Sequence, residues 1–421
     1  MNWPTPMIGD VCLPTLQGDP ARSGRKSFRY VDIAGVDRDS KLISGADEIQ
    51  SSEAPSRARK IIEASDVLVS TVRPNLNAIA LVPDNLNGEI ASTGFAVLRA
   101  NRALLDPKYL FYWVQSTQFV DFLVANATGA SYPAVNDGIV KRAPIPLASP
   151  REQSRIVELL DEADRLRRIR READAKAARI LPALFLKMFG DPATNPKGWN
   201  IATLRQVADT SSGGTPNTKE DGFYGGGIPW VKSGELSQRE VYSTEETISE
   251  AGLKNSSAKW VEPDSVLIAM YGATVGQVSI LKVRATTNQA VCSIRVKQGL
   301  RSKYLAELLR LSKSLLLSKR IGGAQPNISQ QIIRDLEIMV PPDELQVEFA
   351  DRAEHVERLL SHIEVAGRRV DQMFERLLRR AFDGQLTTQW REARMQELLA
   401  EMKQHALALH LPVPTELEAM S

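Results

Sequence analysis

The chain has 421 residues and a net charge of +2, a length that excludes a single small module and predicts about two to four domains. With 43% hydrophobic and 25% charged residues, the composition excludes a disordered chain and is typical of a globular protein. The balance of 53 Lys and Arg against 51 Asp and Glu excludes a polycation that binds nucleic acid indiscriminately, so any such binding must come from local surfaces.

In chain order, two mixed blocks alternate with two long helices. Residues 1–148 predict a mixed α/β domain with many short strands, and residues 149–190 predict a long helix. Residues 191–340 predict a second mixed domain, and residues 341–385 a second long helix. Residues 386–421 predict a short helical tail, to which the sequence gives no function. The expected fold class is α+β.

An imperfect tandem duplication links the two halves. Lys108-Tyr109-Leu110 recurs as Lys303-Tyr304-Leu305, displaced by 195 positions, and before this point the displacement drifts. From Gly129 to Phe189, each matched residue recurs 193 positions later. A constant displacement predicts a gap-free element such as a long helix, whereas drift predicts loops that differ between the copies.

Both predicted helices carry an apolar stripe that repeats every seven residues. Eight of nine seam positions are apolar in each helix, which is typical of a coiled coil. Ordinary packing within a helical bundle is the alternative. Pro182 predicts a kink in the last turns of the first helix. The principal seam residues are Ile156, Leu159, Leu166, Ile180, Phe349, Val356, Leu359, Ile363, Val370 and Met373.

The sequence also predicts the compartment. Residues 1–14 have no basic segment ahead of an apolar one, so we expect no export signal. The apolar run Val266–Tyr271 is far shorter than the roughly 18 residues that a membrane span requires. Cys12 and Cys292 are too few for a disulfide framework, and we expect each to be a small buried apolar residue. A cytoplasmic protein without membrane association is expected.

Catalytic motifs are missing from the sequence. His355 and His362 are seven residues apart, whereas two metal ligands on one helix need a spacing of three or four. Lys232-Ser233 follows Val231, so it does not complete a phosphate-binding loop, and Pro341-Pro342 is not followed by the aromatic residue of a methyltransferase motif. We therefore expect a chain with no catalytic residues, no metal and no bound cofactor.

Three pairs of motifs recur in the same order in the two copies. They are Thr93-Gly94-Phe95-Ala96-Val97 and Thr287-Asn288-Gln289-Ala290-Val291, Tyr132-Pro133-Ala134-Val135 and Gln325-Pro326-Asn327-Ile328, and Pro150-Arg151-Glu152-Gln153 and Asp343-Glu344-Leu345-Gln346. Their order and double occurrence resemble the specificity subunit of type I restriction-modification systems, over about residues 1–385.

The resemblance implies a non-catalytic subunit with two tandem target-recognition domains, each reading one half of a split sequence in double-stranded DNA. It implies that the two helices pack as an antiparallel coiled coil, which fixes the spacing and docks two modification subunits. Restriction subunits would complete the assembly. Methyl transfer with S-adenosylmethionine, and cleavage with ATP and Mg, would then belong to the partner subunits.

DNA-contact candidates follow from the chemistry of base reading, in which Arg pairs best with guanine, and Asn or Gln with adenine. Any of them could instead be a solvated loop residue or a cap on the backbone. Because the loops of the two copies differ, we expect an asymmetric target. The candidates that crowd the loops around the predicted strands are Arg25, Lys26, Arg29, Arg73 and Asn75 in copy one, and Lys219, Lys232, Ser233, Tyr271, Asn288 and Gln289 in copy two.

Two other functional classes remain open from the sequence. One is the specificity region of a fused DNA methyltransferase or nuclease, although a complete catalytic domain is absent from these residues. The other is a coiled-coil scaffold that carries two ligand-binding domains unrelated to DNA. Binding to duplex DNA that weakens steeply with salt would exclude the scaffold, because neutralised phosphates release counterions.

Overall fold

The computed structural model describes residues 3–129, 132–318 and 327–408. The chain divides into two compact units, and each contains part of both long helices. The first unit comprises Met1–Glu172 and Ala366–Ser421, and the second comprises Ala173–Val365. The Gln325-Pro326 half of one repeated motif and residues 409–421 of the predicted tail lie outside the described residues.

The first unit is a mixed structure of short strands and helices, in keeping with the expected α+β class. Its strands are β1 Cys12–Leu13, β2 Ser27–Val31, β3 Val36–Asp37, β4 Leu42–Ile43, β5 Asp47–Gln50, β6 Ala58–Ile61, β7 Val67–Ser70, β8 Ile79–Leu81, β9 Ile90–Ser92 and β10 Phe95–Ala100. Its first helices are α1 Pro107–Trp113, α2 Thr117–Ala125 and α3 Asp137–Arg142, and α4 Pro150–Ala177 begins in this unit.

The second unit repeats this mixture. Its strands are β11 Asn200–Thr203, β12 Ala208–Ser212, β13 Tyr224–Val231, β14 Glu240–Val241, β15 Glu246–Ile248, β16 Val266–Ala269, β17 Val278–Leu281, β18 Thr286–Thr287, β19 Val291–Val296 and β20 Glu337–Val340. Its helices are α5 Ile180–Phe189, α6 Leu204–Val207, α7 Glu250–Lys254, α8 Ser302–Leu311, α9 Lys313–Ser318 and α10 Gln330–Arg334, and α11 Asp343–Phe382 begins here.

Strand pairing is duplicated between the units. In the first unit β7 pairs antiparallel with β8 and β10, and in the second unit β16 pairs antiparallel with β17 and β19. A second sheet in each unit contains a parallel pair, β2 with β9 and β13 with β18. The strands β7 and β16 are buried at every position, as expected for strands rich in Val, Leu and Ile that are covered on both faces.

The first long helix is interrupted just before Pro182, the residue at which the sequence predicts a kink. The helix α4 ends at Ala177, and α5 begins at Ile180. Pro182 has no N–H to donate to the carbonyl of Ala178, so it disrupts the preceding turn and lies in the first turn of α5, where a proline is tolerated. Gly190 and Gly384, both with positive φ, follow the ends of α5 and α11.

The carboxyl end of each long helix completes a hydrophobic core. In the first unit, the Phe382 ring lies 5.1 Å from Tyr109 and 5.0 Å from Trp113. In the second unit, the Phe189 ring lies 4.8 Å from Tyr304 and 5.5 Å from Phe349. Such aromatic pairs each add about 0.5–1.5 kcal/mol beyond the burial of their area. The ends of the two helices are therefore part of the units and not only spacers.

The carboxyl-terminal segment packs into the first unit through α12 Thr388–Glu392 and α13 Met395–Ala408. Glu152 is fully buried and accepts hydrogen bonds from Arg391 Nε at 2.7 Å, from the Thr387 hydroxyl at 2.6 Å and from Trp3 Nε1 at 3.1 Å. This network ties residues near both ends of the chain to the start of α4.

Candidate nucleic-acid interface

In the second unit, two parallel strands end at the same edge of a sheet. The strand β13 ends at Val231 and β18 ends at Thr287, and the Asn288 N–H donates to the Val231 carbonyl at 2.9 Å. Lys232-Ser233 and Asn288-Gln289 therefore leave the sheet side by side. This edge brings four of the six candidates of copy two together.

A glycine loop passes closely over this edge. A Cβ on Gly213 would lie 2.1 Å from the Thr287 carbonyl oxygen, and one on Gly214 would lie 2.3 Å from a backbone nitrogen, so only glycine fits at either position. The close approach places the Thr215 hydroxyl in contact with the side-chain oxygen of Gln289. Gln289 is exposed beside this contact.

Two candidates at this edge already have partners within the protein. Lys232 Nζ lies 2.7 Å from a Glu246 carboxylate oxygen and 3.4 Å from one of Glu245, and the hydrogen bond to Glu246 raises the pKa of the lysine. Asn288 Oδ1 accepts the N–H of Ala290 at 3.1 Å. This hydrogen bond does not involve the side-chain amide nitrogen of Asn288.

Tyr271 and Lys219 lie in neighbouring loops. The Met270 N–H donates to the Ala290 carbonyl at 2.8 Å, so Tyr271 follows directly on a contact with the Gln289 loop. Burial raises the pKa of the Tyr271 phenol. Lys219 is exposed, and its backbone N–H donates to Asn217 Oδ1 at 3.2 Å.

The first unit has an equivalent edge, where β2 and β9 run parallel. The Thr71 hydroxyl donates to the Gly94 carbonyl at 2.9 Å, which attaches the loop after β7 to the turn after β9. Arg73 and Asn75 are exposed residues of this loop. They are the two candidates of copy one that lie at the same kind of edge as those of copy two.

Arg73 has an unusual backbone conformation. Its φ is +49°, in the left-handed region that costs an L-residue about 1–2 kcal/mol. The conformation is held by its own N–H, which donates to the Pro133 carbonyl at 2.7 Å. The guanidinium carbon lies 4.7 Å from the centre of the Tyr132 ring, a cation–π contact.

Of the remaining candidates of copy one, Arg25 and Lys26 precede β2 and Arg29 lies within it. Arg25 donates to the Gly88 carbonyl at 2.9 Å and pairs with Glu89 at 3.3 Å, ahead of β9. The Arg29 N–H donates to a carboxylate oxygen of Glu89 at 2.9 Å, and Lys26 is exposed nearby in the chain. The structure thus separates Arg25, Lys26 and Arg29 from the Arg73 loop.

An exposed cation at the first edge was missed by the sequence reasoning. The carbonyl of Arg57 accepts the N–H of Thr93 at 2.8 Å, which places this arginine beside the turn after β9. Arg57 directly precedes β6. Only the strand pairing reveals its position.

The seam residues of the long helices differ in burial. Ile156 and Phe349 are fully buried in the cores of their units. Contiguous exposed apolar patches mark interaction surfaces, whereas single exposed apolar side chains are ordinary. The seam residues that are roughly half or more exposed are Leu166, Ile180, Leu359 and Met373. The partly buried ones are Leu159, Val356, Ile363 and Val370.

Metal and thiolate chemistry find no support among the described residues. Within residues 3–129, 132–318 and 327–408, no group of three or more His, Cys, Asp or Glu side chains is placed to hold a metal ion. Burial raises the pKa of the Cys12 and Cys292 thiols to about 12, so neither is a thiolate at neutral pH. No helix in the described part of the chain combines the length and apolar character needed to cross a membrane.

Known proteins resemble this chain in sequence and in fold. A family model described as the type I restriction modification DNA specificity domain matches residues 196–366. The HindI specificity subunit of Haemophilus influenzae is 20% identical, over 79% of this chain and 89% of that protein. The EcoR124I/EcoR124II specificity subunit of Escherichia coli is 25% identical, over 57% of this chain and 60% of that protein.

A solved structure agrees with these relatives. It is described as the structural basis underlying complex assembly and conformational transition of the type I R-M system. One of its chains is 29% identical, with a TM-score of 0.60, and the match covers 91% of this chain and 98% of that one. In addition to this structural match, the chain has the α+β fold and the duplicated strand pairing described above. The chain thus resembles type I restriction-modification specificity subunits in sequence and in fold, and its residues 196–366 match the DNA specificity domain of that family.

Proposed function

We propose that this chain reads a two-part, asymmetric sequence in double-stranded DNA, with one half read by the edge loops of each unit. The observation that carries the proposal is that the same sheet edge occurs twice with different side chains. The strand pairing aligns Asp32, which follows β2, with Lys232, which follows β13. It also aligns Val72, which precedes the turn after β7, with Tyr271, which precedes the turn after β16. Different donors and acceptors on equivalent scaffolds read different bases.

The long helices are proposed to pack as an antiparallel coiled coil that fixes the distance between the half-sites. Contacts within each unit support this orientation. In the first unit, Arg167 Nε lies 2.9 Å from an Asp371 carboxylate oxygen. In the second unit, the rings of Phe185 and Phe349 lie 5.5 Å apart. As the residue number rises along the first helix, that of its contact falls along the second.

Two modification subunits are proposed to dock on the helices, and restriction subunits to join the assembly. The exposed apolar residues Leu166, Leu359 and Met373 are the proposed contacts, because a partner that covers them removes apolar surface from water. S-adenosylmethionine, ATP and Mg are proposed to bind the partner subunits and not this chain. The complex is proposed to act in the cytoplasm on the host DNA.

The test is to express the chain with its modification subunits and to map methylated adenines across the host DNA. The proposal expects methylation of one two-part asymmetric sequence. The double variant Asn288→Ala/Gln289→Ala is expected to relax the sequence preference in one half only, because both residues lie at the edge of the second unit.

A control variant and a measurement of salt dependence accompany this test. Arg22→Ala removes an exposed cation whose ion pair with Asp19 spans 3.8 Å, and it is expected to leave the methylated sequence unchanged. Binding of the complex to duplex DNA should weaken steeply with salt, as expected for phosphate contacts. Methylation without a two-part sequence, or relaxation of both halves together in the double variant, would contradict the proposal.

A further inference from the structure

The loops after β7 and β16 form the same turn in the two units. Val72 makes a β-bridge to Ala134, and Tyr271 makes the equivalent bridge to Asn327. In both units the residue that follows the bridge has a positive φ, +49° at Arg73 and +82° at Gly272. The two turns therefore align residue by residue, at the displacement of 199 that relates β7 to β16.

Hydrogen bonds confirm the alignment of the turns. The Leu76 N–H donates to the Arg73 carbonyl at 2.9 Å, and the Val275 N–H donates to the Gly272 carbonyl at 3.2 Å. The residue that follows each of these donors, Asn77 or Gly276, again has a positive φ. At both left-handed positions the second copy has glycine, and the first copy has a residue with a side chain.

An arginine is an unfavourable choice for this backbone. Glycine has no Cβ, so it adopts the left-handed region without the clash that L-residues have there. The second copy shows that glycine fits the turn. Strained conformations persist where the surrounding structure holds them, and they concentrate at functional sites. The hydrogen bond from the Arg73 N–H to the Pro133 carbonyl supplies that constraint.

The Arg73 side chain is also oriented and available. Its guanidinium lies over the ring of Tyr132, which restrains it, and both residues are exposed, Tyr132 by 69%. Among the described residues, no carboxylate lies within ion-pair distance of Arg73. Arg25 and Lys232, by contrast, are paired with glutamates.

We infer that Arg73 reads a guanine in the half-site that belongs to the first unit, and that Tyr132 is its positioning residue. This inference rests on the proposed function. A planar guanidinium donates two parallel hydrogen bonds to the O6 and N7 atoms of guanine in the major groove, and a fork held by stacking needs less reorganisation to do so. The second unit has no side chain at this position, so the guanine contact would belong to one half-site only.

The decisive variant is Arg73→Gly, which installs the residue that the second copy uses. The turn should be retained, and the thermal midpoint should be no lower than that of the wild type. Methylation of the cognate sequence should fall roughly ten- to hundred-fold, with lost preference at a single G·C pair. The measurement is methylation of a duplex library by the complete complex, with sequencing of the products.

Two further pairs of variants separate reading from simple charge. Arg73→Lys retains the positive charge and loses the fork, so it should relax the same G·C pair. Tyr132→Phe retains the ring and should preserve the preference, whereas Tyr132→Ala should weaken it. Arg22→Ala is the matched control and should change neither the sequence nor the rate.

Each outcome has a distinct meaning. If the wild-type complex methylates no defined sequence, the proposed function itself fails. If the wild type is specific and Arg73→Gly lowers methylation equally for all sequences with a shallower salt dependence, Arg73 contacts a phosphate and the inference is overturned. Unchanged specificity in Arg73→Gly would also overturn it.

Discussion

Gln153 and Gln346 make the same three hydrogen bonds, one in each unit. Gln153 Nε2 donates to the Ala148 carbonyl at 2.8 Å and to the Leu104 carbonyl at 2.9 Å, and its Oε1 accepts the N–H of Asp106 at 2.8 Å. The side chain is buried. It therefore fastens the first turn of α4 to the loop ahead of α1.

Gln346 repeats this arrangement at the start of α11. Its Nε2 donates to the carbonyls of Pro341 at 2.8 Å and Gly299 at 3.0 Å, and its Oε1 accepts the N–H of Arg301 at 2.9 Å. The glutamine that closes each repeated helix-opening motif thus attaches a long helix to the domain before it.

We predict that Gln153→Leu destabilises the first unit and that Gln346→Leu destabilises the second. Each change leaves a backbone N–H and two carbonyls buried without a partner, at about 1–3 kcal/mol for an unsatisfied group. Hydrogen exchange of the backbone amides, measured separately for the two units, checks this. The exposed Gln118→Leu is the control, and equal loss of protection in both units would contradict the prediction.

A second prediction concerns the buried ion pair of the tail. Arg391→Ala leaves the Glu152 carboxylate buried without its cation, which is expected to lower the free energy of unfolding of the first unit by about 3–5 kcal/mol. The change is measured by denaturant unfolding. Glu152→Leu/Arg391→Leu removes both charges and should recover part of the loss.

The matched control for this prediction lies three residues away. The Arg394 guanidinium is 4.9 Å from the Trp390 ring centre, and the residue is exposed, so Arg394→Ala should cost no more than about 1 kcal/mol. If Arg391→Ala were as mild as Arg394→Ala, the tail would not be an integral part of the first unit.

The sequence predicts the repeat and the long helices well, for a physical reason. A helix without insertions keeps a constant displacement between copies, so 341–385 comes close to the observed α11, Asp343–Phe382. The apolar period does not reveal which core each stripe enters. That Phe189 and Phe382 complete cores formed with other segments depends on tertiary contacts, which no local pattern encodes.

The parts of the site that escaped prediction depend on the backbone. Nothing local in the sequence marks Arg73 as left-handed, because the constraint comes from Pro133 and the signal appears only on alignment with Gly272. The buried partner of Glu152 is likewise distant, at Arg391. The tail therefore has a structural role that its composition does not predict.

A third prediction concerns pH and a lysine in a loop of the first unit. Lys41 Nζ donates to the Asn77 carbonyl at 2.6 Å, and burial lowers its pKa from 10.5 to about 8. Arg171 donates to the Asp39 carbonyl at 2.7 Å and so attaches this loop to α4. The charged groups that act on the lysine are Asp39, Glu375, Arg167 and Arg171.

The sign of the pH effect follows from proton binding. Between about pH 8 and pH 10.5 the unfolded chain holds a proton on Lys41 that the folded chain has released, so stability rises with pH. Lys41→Met removes this contribution. We therefore expect the denaturant midpoint of the wild type to rise relative to that of Lys41→Met as the pH increases from about 7 to about 9.5. A constant difference between the two proteins across this range would contradict the prediction.

The last prediction tests the docking surface on the helices. Leu359→Glu places a charge on a residue that is 62% exposed, so the fold should be retained. A carboxylate buried against an apolar partner surface is strongly unfavourable, and modification-subunit binding should weaken at least about tenfold. Leu16→Glu, at 65% exposure in the first unit, is the matched control and should bind normally. Affinity measured with purified modification subunits decides the matter, because full-strength binding of Leu359→Glu would remove this residue from the docking surface.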